Sequence, residues 1–414
     1  MKRIRITPKK LSGKVSVPPS KSIAHRAIIC AALAKGRSVI TNISFSEDIT
    51  ATVNAMRLAG ADISVKDNSI IVVGIERFEK LGSSIDCNES GSTLRFLIPI
   101  MISLFGEACF TGKGRLGKRP LDVYYDIFKA QNIDYAVSDD PFSLLVKGRL
   151  SSGVFQVPGN ISSQFITGLL LALPLLDNDS EIAITSTLES KGYIDLTLQT
   201  MKAFGVTVSN ENYTRFFVKG NQKYTSTDYA VEGDYSQAAF FEVANFIGND
   251  LDICGINQDS LQGDKQILEI LDTLKTAQEN DLVVIDGAQC PDIIPIAAVA
   301  ACLRKGKTRF INVGRLKLKE SDRLSVVVEE LSKIGGNITA TEDSLVIDGV
   351  DTFYGTITDS HNDHRIAMML AIAATRCCGA LTINGYECVS KSYPDFFEVY
   401  KSLGGDLCEQ HVGE

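Results

Sequence analysis

The sequence has 414 residues, 44% of them hydrophobic, and a formal net charge of −8. This length suits two domains with ordinary globular cores, and no apolar segment is long enough to cross a membrane. The net negative charge argues against nucleic acid as the default partner, because binding to a phosphate backbone needs a broad basic face.

A short polar cluster leads six times into a run of small and apolar residues. The clusters contain Ser20, Ser90, Ser162, Asp234, Asp292 and Asp363, and the runs that follow cover residues 26–34, 96–104, 169–176, 238–246, 293–303 and 366–378. Successive clusters are 70, 72, 72, 58 and 71 residues apart. Six structural repeats are therefore predicted, of which the fourth is short.

Each apolar run has the signals of an α-helix. Serine and aspartate are common N-cap residues, and five of the runs are followed by glycine stops at Gly36, Gly106, Gly248, Gly306 and Gly379. Apolar residues occupy most faces of the runs rather than one stripe. We therefore expect six helices that are buried on all sides.

A second, amphipathic helix is predicted in each repeat. These stretches end at Gly60, Asn132, Gly205, Lys275, Gly335 and Gly404. In every repeat except the fourth, strand-like residues follow this stretch, such as residues 63–65 and 70–73 in the first repeat. In the fourth repeat only 17 residues separate the end of the stretch from the next cluster, so about one strand and its turn are expected to be missing.

Basic residues collect at the starts of these helices and in the loops beside them. They are Lys21, Arg26, Lys113, Arg115, Lys118, Arg119, Lys317, Lys319, Arg323, Arg365 and Lys391. Unpaired N–H groups and aligned peptide dipoles already make a helix N-terminus positive. If the six buried helices direct their N-termini toward one cleft, we expect that cleft to bind a small, highly charged anion.

The same positions carry an ordered series of motifs. In chain order they are Pro19-Ser20-Lys21-Ser22 with Arg26, Ser90-Gly91-Ser92-Thr93-Leu94-Arg95, Arg119-Pro120, Ser162-Ser163-Gln164-Phe165, Tyr193-Ile194-Asp195, Lys319-Glu320-Ser321-Asp322-Arg323-Leu324, Asp363-His364-Arg365 and Lys391-Ser392-Tyr393-Pro394-Asp395. The series resembles that of the 5-enolpyruvylshikimate-3-phosphate (EPSP) synthase family and extends from residue 14 to about residue 400. Each motif is weak by itself, but the ordered set is highly specific.

The resemblance implies an α/β fold with two lobes, the inverse α/β barrel of the enolpyruvyl transferases. Each lobe would contain three βαβαββ repeats, and the fourth of the six would be shortened. Lobe I would consist of residues 1–19 and 231–414, and lobe II of residues 20–230. The chain would cross between the lobes twice, so that its N-terminal strand belongs to the lobe with the last three repeats.

The implied reaction transfers the enolpyruvyl group of phosphoenolpyruvate to the 5-hydroxyl of shikimate 3-phosphate, through a tetrahedral intermediate that loses phosphate. It belongs to the shikimate pathway to chorismate and the aromatic amino acids, and needs neither a metal ion nor an organic cofactor. We expect a cytoplasmic monomer without nucleic-acid or membrane partners. Ten cysteines without a repeated C-x-x-C pattern agree with reduced thiols in that compartment.

The motif positions imply three sets of site residues. The catalytic residues would be Asp292, Glu320 and Lys21, with Asp292 as the base for the hydroxyl and the other proton transfers unassigned. The phosphoenolpyruvate contacts would be Lys21, Gly91, Arg119, Gln164, Arg323, Arg365 and Lys391. The shikimate 3-phosphate contacts would be Lys21, Ser22, Arg26, Ser162, Ser163, Gln164, Ser190, Tyr193, Asp292 and Lys319. Such chemistry requires an acid, a base and cations that hold both substrates in contact.

Several of these residues also fit a purely structural role. Asp292 could cap a helix, Glu320 could form an i, i+3 pair with Arg323, and the serines at 162 and 163 could be caps.

Two histidines raise a separate alternative. His361 and His364, with Asp363 between them, have a spacing that could hold zinc, but Arg365 beside them would repel a cation. We expect His364 instead to donate a hydrogen bond to an anion or to assist proton transfer.

Two positions depart from the residues that the family often has. Glu89 and Arg315 each stand in place of an asparagine, so we expect altered substrate affinity with an unchanged reaction.

The related transferase that acts on UDP-N-acetylglucosamine usually depends on a cysteine where this chain has Gly114, which makes it the less favoured enzyme. A non-catalytic repeat scaffold is the other alternative, but the six clusters carry dissimilar residues, as an asymmetric small-molecule site requires.

Overall fold

The computed structural model describes residues 2–76, 81–279 and 281–411. Within them the α-helices are α1 (Lys21–Leu33), α2 (Glu47–Leu58), α3 (Gly91–Phe105), α4 (Asp122–Ala130), α5 (Ser163–Ala172), α6 (Lys191–Ala203), α7 (Tyr235–Phe246), α8 (Ile267–Thr276), α9 (Ile294–Cys302), α10 (Arg323–Lys333), α11 (His364–Ala374) and α12 (Phe396–Ser402). The β-strands are β1 (Lys2–Thr7), β2 (Ser12–Ser16), β3 (Arg37–Thr41), β4 (Asp62–Lys66), β5 (Ser69–Val73), β6 (Ile85–Asp86), β7 (Glu107–Thr111), β8 (Asp134–Asp139), β9 (Phe142–Lys147), β10 (Val154–Val157), β11 (Ser180–Ile184), β12 (Val208–Glu211), β13 (Arg215–Val218), β14 (Tyr229–Ala230), β15 (Asp250–Cys254), β16 (Leu282–Asp286), β17 (Lys307–Ile311), β18 (Asn337–Ala340), β19 (Ser344–Asp348), β20 (Ile357–Asp359), β21 (Leu381–Asn384) and β22 (Asp406–His411). Among these helices, none is both long and apolar enough to span a bilayer.

The chain forms two compact units. One, which we call lobe I, comprises Met1–Pro18 and Gly233–Glu414, and the other, lobe II, comprises Pro19–Glu232. The boundaries expected from the sequence, after residues 19 and 230, differ from these by one and two residues. Each lobe has its own buried hydrophobic core.

Lobe II contains three four-stranded sheets, one for each repeat. Their strand orders are β14-β3-β5-β4, β6-β7-β9-β8 and β10-β11-β13-β12. In each sheet the first two strands are parallel and the other neighbours are antiparallel. A parallel pair needs a crossover connection, which α3 supplies between β6 and β7 and α5 between β10 and β11. A closing hairpin then completes the βαβαββ order.

Lobe I follows the same plan with one reduced sheet. The orders β16-β17-β19-β18 and β20-β21-β1-β22 are four-stranded, whereas β2 and β15 form a two-stranded parallel sheet. The N-terminal strand β1 lies between β21 and β22, where Ile4 is opposite Ile383. In the described residues no hairpin stands between α8 and β16. The fourth repeat therefore lacks both hairpin strands, one more than the sequence spacing indicated.

The first and fourth repeats exchange their leading strands between the lobes. β2 directly precedes α1 in the chain but pairs with β15 of lobe I, and β14 directly precedes α7 but pairs with β3 of lobe II. The residues just before the two helices also form backbone hydrogen bonds. Ser20 N donates to Glu232 O in lobe II, and Asp234 N donates to Pro18 O in lobe I. The starts of α1 and α7 are thereby fixed.

The six helices predicted to be buried are α1, α3, α5, α7, α9 and α11. Almost every residue of α9 and α11 is inaccessible to solvent, as their all-round apolar surface requires. Four predicted N-caps accept hydrogen bonds from first-turn N–H groups, namely Ser90, Ser162, Asp234 and Asp363. α11 ends at Ala374, four residues earlier than the apolar run suggested.

Candidate active site

Lys21 and Asp48 form an ion pair at the start of α1. Lys21 is the first residue of that helix, and its Nζ lies 2.7 Å from Asp48 Oδ2. Both side chains are largely buried, with 16% and 12% of their surface exposed. Asp48 belongs to the first turn of α2, which Ser46 caps. A carboxylate that lies outside the motifs therefore holds the lysine predicted to be catalytic.

Arg26 connects the three helices α1, α5 and α6. Its Nε donates to Thr197 Oγ1 at 2.8 Å, Nη1 to Ser22 O at 2.5 Å, and Nη2 to Thr167 Oγ1 and Tyr193 O. Burial lowers the pKa of Arg26 to about 10, so the guanidinium stays charged at neutral pH. The same contacts bring three predicted shikimate 3-phosphate residues together.

The guanidinium of Arg119 packs directly against Gly91, the first residue of α3. A Cβ atom at Gly91 would lie 2.7 Å from Arg119 Nη1 and 2.8 Å from Cζ, closer than real side chains approach. Arg119 follows a 3₁₀ turn at Leu116–Lys118 and is itself buried. A side chain at this position would therefore displace the guanidinium from the place that it has in the structure.

The Gln164 side chain is held by two residues of α3. Its Nε2 donates to Ser92 Oγ at 3.0 Å, and its Oε1 accepts from Arg95 Nη1 at 2.7 Å. Arg95 Nη2 also donates to Pro120 O at 2.8 Å. Arg95 thus positions both Gln164 and the turn, a role that its place in a motif did not reveal.

The remaining predicted residues of lobe II lie at the starts of α5 and α6. Ser162 caps α5, because its hydroxyl accepts from Gln164 N, so the structural role considered for it is correct. Ser163, in the first turn, is buried. Ser190 directly precedes α6 with a left-handed backbone of φ 58° and is also buried. A serine costs about 1–2 kcal/mol in this conformation, so its surroundings must impose it.

Asp292 lies between two cations and does not cap a helix. α9 begins two residues later, and Asp292 Oδ1 accepts from Lys319 Nζ at 3.0 Å and from Arg323 Nη1 at 2.8 Å. The capping interpretation is therefore wrong. Burial opposes ionisation, but Lys319, Arg365 and Arg323 outweigh it and hold the pKa of Asp292 well below its usual range. The carboxylate is charged at neutral pH.

Arg323 is surrounded by three carboxylates. Its Nε donates to Asp363 Oδ2 at 2.7 Å, Nη1 to Asp292, and Nη2 to Glu320 Oε2 at 2.7 Å. Only 1% of the side chain is exposed. Burial disfavours the charged form, but the carboxylates raise the pKa of Arg323 above its ordinary value. The i, i+3 pair with Glu320 does form, as one part of this larger cluster.

Lys319 shares Asp292 with Arg323 and has an altered proton affinity. Burial lowers its pKa; Asp292 opposes this effect, and the positive charges of Arg323 and Arg315 add to it. An ammonium group with a lowered pKa releases its proton more easily. Lys319 therefore holds its proton less tightly than an exposed lysine does.

Arg365 and Lys391 are each anchored by a backbone carbonyl group from another segment of lobe I. Arg365 Nη1 donates to Ser236 O at 3.0 Å, and Lys391 Nζ donates to Asn362 O at 2.8 Å. Both side chains are buried. The buried Nε of Arg365 makes no hydrogen bond within the described residues. Such a donor is suited to an anionic ligand.

A model of the family described as EPSP synthase (3-phosphoshikimate 1-carboxyvinyltransferase) matches residues 6–400. The chain belongs to the EPSP synthase family. Proteins named 3-phosphoshikimate 1-carboxyvinyltransferase from Clostridium botulinum (strain Alaska E43 / Type E3) and Clostridioides difficile (strain 630) are 52% and 50% identical to it. Both alignments cover 100% of each chain.

Solved structures support the same fold. EPSP synthase from Acinetobacter baumannii has a TM-score of 0.81 at 25% identity, covering 99% of this chain and 100% of that one. The enolpyruvyl transferase NikO from Streptomyces tendae has a TM-score of 0.81 at 16% identity, covering 99% of each chain, and supports the fold alone. The predicted α/β enolpyruvyl transferase fold is therefore confirmed.

Each lobe of this EPSP synthase family member carries one group of the predicted residues. Lobe II carries Lys21, Ser22, Arg26, Gly91, Arg119, Ser162, Ser163, Gln164, Ser190 and Tyr193, and lobe I carries Asp292, Lys319, Glu320, Arg323, Arg365 and Lys391. Most of them lie at the starts of helices, where N–H groups add positive potential. The placement agrees with the binding of anions in each lobe.

The two departures from the usual EPSP synthase residues both alter charge beside predicted contacts. A Cβ at Gly114 would lie 2.5 Å from Glu89 Cδ, so the Glu89 carboxylate packs on the loop before Arg119. Arg315 lies in a 3₁₀ turn at Gly314–Leu318, and its charge acts on Lys319.

The zinc alternative has little support in the geometry. Within the described residues, the group with metal-ligand spacing is Glu329, Glu330 and His361, without His364. His361 Nε2 lies 2.7 Å from Glu330 Oε1, and Lys333 Nζ lies 2.8 and 2.7 Å from the two glutamates. An ammonium group already supplies the positive charge that a metal ion would bring.

Proposed function

We propose that the chain transfers the enolpyruvyl group of phosphoenolpyruvate to the 5-hydroxyl of shikimate 3-phosphate and releases inorganic phosphate. Its full-length identity of 52% and 50% to proteins named for this transfer supports the proposal. The structural observation that carries it is Asp292, an anion held between Lys319 and Arg323 directly before a buried helix. This cluster offers a base for a hydroxyl and positive charge for anionic groups.

The reaction has two stages. The 5-hydroxyl oxygen adds to C2 of phosphoenolpyruvate, losing its proton, while C3 gains a proton and becomes a methyl group. The tetrahedral intermediate then loses inorganic phosphate from C2 and a proton from that methyl group, which restores the carbon–carbon double bond. Each stage needs one group that accepts a proton and another that donates one.

Asp292 is our choice for the base that accepts the hydroxyl proton, with Glu320 and Lys21 serving the methylene carbon and the leaving phosphate. The cations that keep the pKa of Asp292 low are partly neutralised when phosphate and carboxylate groups bind. Substrate binding therefore raises that pKa toward the range in which a carboxylate accepts a proton.

The binding residues are assigned as the sequence predicted. For phosphoenolpyruvate they are Lys21, Gly91, Arg119, Gln164, Arg323, Arg365 and Lys391, and for shikimate 3-phosphate they are Lys21, Ser22, Arg26, Ser162, Ser163, Gln164, Ser190, Tyr193, Asp292 and Lys319. Most N–H donors of Arg323 and Arg26 already form hydrogen bonds to protein groups, so these two residues contribute mainly fixed positive charge to substrate binding. Lysine and arginine give the charge-assisted contacts that phosphate and carboxylate groups need.

Phosphate release from the substrate pair tests the proposal. We expect release when both shikimate 3-phosphate and phosphoenolpyruvate are present, equally with and without EDTA, because side chains provide every cation assigned above. Omission of either substrate is the control. Release with UDP-N-acetylglucosamine in place of shikimate 3-phosphate, and none with the latter, would contradict the assignment.

Lys21→Met is expected to lower kcat by about 10²–10⁴-fold, because it removes a proton-transfer group and leaves the Asp48 carboxylate without its ammonium partner. The measurement is phosphate release at saturating substrates, with circular dichroism to verify folding. Lys129→Met, on the exposed surface of α4, is the matched control for the loss of a lysine charge in the same lobe. Near-normal turnover of the Lys21 variant would remove it from the catalytic set.

Gly91→Ala is expected to raise the KM for phosphoenolpyruvate about tenfold, because the new methyl group displaces the Arg119 guanidinium. Steady-state kinetics with varied phosphoenolpyruvate give the value. Gly82→Ala is the matched control, since a Cβ there meets no atom within 4 Å. If both variants keep the wild-type KM, the contact between Gly91 and Arg119 does not serve binding.

We also propose a cytoplasmic monomer without nucleic-acid or membrane partners. All ten cysteines are free, and burial raises the pKa of Cys302 and Cys388 to about 12, which makes these thiols unreactive. Light scattering is expected to give the 44.9 kDa mass of a single chain, and twice that mass would contradict the monomer.

A further inference from the structure

Asp264 is a buried carboxyl group of lobe I to which the motifs assign no role. It lies in a 3₁₀ turn at Gly263–Gln266, directly before α8, and only 2% of it is exposed. Its Oδ2 accepts a hydrogen bond from Ser236 Oγ at 2.5 Å. A buried carboxylate is costly to ionise, so the surrounding contacts must compensate for it.

The turn before α8 is fixed to the start of α7. Gln262 Oε1 accepts from Tyr235 N at 3.0 Å, and Gln262 Nε2 donates to Gly233 O at 2.7 Å. The same helix start is capped by Asp234, whose Oδ1 accepts from Ser236 N at 2.8 Å. The position of the buried carboxyl group relative to Ser236 is therefore set by several contacts besides their own.

Ser236 connects this carboxyl group to Arg365. The Ser236 backbone oxygen accepts from Arg365 Nη1 at 3.0 Å. The guanidinium is buried, and its Nε makes no hydrogen bond within the part of the chain that the structure describes. Ser236 thus orients Arg365 at one nitrogen, while another nitrogen keeps a donor for a bound anion.

Charged and titratable groups face Asp264 from three neighbouring segments. They are Asp234 at the start of α7, Cys290 and Asp292 before α9, and Arg365 in α11. Burial and the charge of Asp292 raise the pKa of Asp264 to about 6, against the lowering effects of Arg365 and the Ser236 hydrogen bond. Its charge therefore changes near neutral pH beside two residues of the proposed site.

We propose that Asp264 is a positioning residue for enolpyruvyl transfer, which acts through Ser236 to hold Arg365 in the orientation that binds phosphoenolpyruvate. The inference rests on the proposed function, in which Arg365 contacts that substrate. The ionised form of Asp264 is the effective one. An ionised carboxylate can only accept a hydrogen bond from the Ser236 hydroxyl, and so it fixes the direction of that O–H group. A protonated carboxyl group can also donate a hydrogen bond.

Asp264→Asn separates positioning from a simple effect of charge. Loss of a negative charge near Arg365 would by itself strengthen the attraction for an anion and lower the KM for phosphoenolpyruvate. Loss of positioning raises that KM instead, and we expect a rise of about tenfold with a smaller change in kcat. An unchanged or lower KM in steady-state kinetics overturns the proposal.

Ser236 supplies a second, milder test if the Asp264 variant folds poorly. Ser236→Ala keeps the carbonyl but removes the hydroxyl, and it is expected to raise the KM for phosphoenolpyruvate by a similar factor. Ser236→Thr keeps a hydroxyl group and is expected to keep the wild-type KM for phosphoenolpyruvate. The double variant of Asp264→Asn with Ser236→Ala should be no worse than either single variant, because both break one hydrogen bond. Additive losses without rescue by threonine overturn the positioning role.

The pH profile adds a readout that general damage to the fold does not reproduce. In the wild-type enzyme, kcat/KM for phosphoenolpyruvate is expected to fall as the pH is lowered through about 6, and Asp264→Asn should lack that inflection. Titration of the substrates is common to both enzymes, so the difference between the profiles isolates Asp264. If the wild-type enzyme is active and Asp264→Asn has the same pH profile, the role of Asp264 is overturned but the proposed function stands. If the wild-type enzyme releases no phosphate, the proposed function and the role of Asp264 are overturned together.

Discussion

Asp292→Asn is expected to reduce kcat by about 10²–10⁴-fold while lobe I stays folded. Asparagine has nearly the same shape as aspartate, but its amide cannot accept the hydroxyl proton. Its amide oxygen can still accept the hydrogen bonds that Lys319 and Arg323 donate at 3.0 and 2.8 Å, but it carries no negative charge to hold the two cations. Phosphate release at saturating substrates measures the loss, and circular dichroism verifies the fold.

The matched control for this substitution is Asp272→Asn. Asp272 lies on the exposed side of α8 in the same lobe, so the change in net charge is the same without the contact to the cluster. Its turnover is expected to equal that of the wild type. Asp292→Asn with near-normal turnover would exclude Asp292 as the base.

The ion pairs of Asp292 also predict how stability depends on pH. The folded-state pKa lies well below the ordinary value of 3.8, so folding favours the ionised form. Stabilisation from a depressed pKa is fully present above the unfolded value and is lost as the pH falls through the folded value. The stability difference between wild type and Asp292→Asn is therefore expected to stay constant across neutral pH and to shrink only in strong acid, which urea unfolding at several pH values would measure.

Arg323→Met is expected to lower the free energy of unfolding by about 3–5 kcal/mol. The substitution removes a guanidinium that is 1% exposed and leaves the carboxylates of Asp292, Glu320 and Asp363 close together without their shared cation. Urea unfolding at neutral pH gives the difference. The loss should become smaller in acid, where protonation relieves the repulsion among the carboxylates.

Lys305→Met is the control for this second substitution. It breaks an ion pair with Glu279 in which both side chains are about 70% exposed, and such pairs contribute only about 0–1 kcal/mol. If Arg323→Met loses turnover with a stability change as small as the control, Arg323 serves the substrate and not the fold of lobe I.

The buried helices could be predicted because their signals are local. A polar N-cap such as Ser90 or Asp234 stands beside the apolar run that it starts, and both helices begin where expected. The exceptions have causes that lie elsewhere in the chain. α9 begins two residues after Asp292 because that carboxylate is engaged by Lys319 and Arg323, which follow it by 27 and 31 residues.

The site was only partly predictable for the same reason. The motifs indicate the helix starts, and the structure places Lys21, Gly91 and Arg365 there. The partners that fix these residues come from distant segments, as Asp48 does for Lys21 across 27 residues. Pairings of that kind depend on how the helices pack against one another in three dimensions, which the spacing of the motifs does not contain.

Because lobe I is built from two separate stretches of the chain, the two lobes acquire their strands at different times during synthesis. Lobe II has all the strands of its three sheets once Ala230 has left the ribosome, whereas β1 precedes every other strand described here and pairs with β21 and β22 only after those two strands have been made. An unpaired strand invites aggregation, and charges are a common protection. The first ten residues contain five such charges, all positive, at Lys2, Arg3, Arg5, Lys9 and Lys10. These positive charges on and beside β1 would make nascent chains repel one another until β21 and β22 have been made.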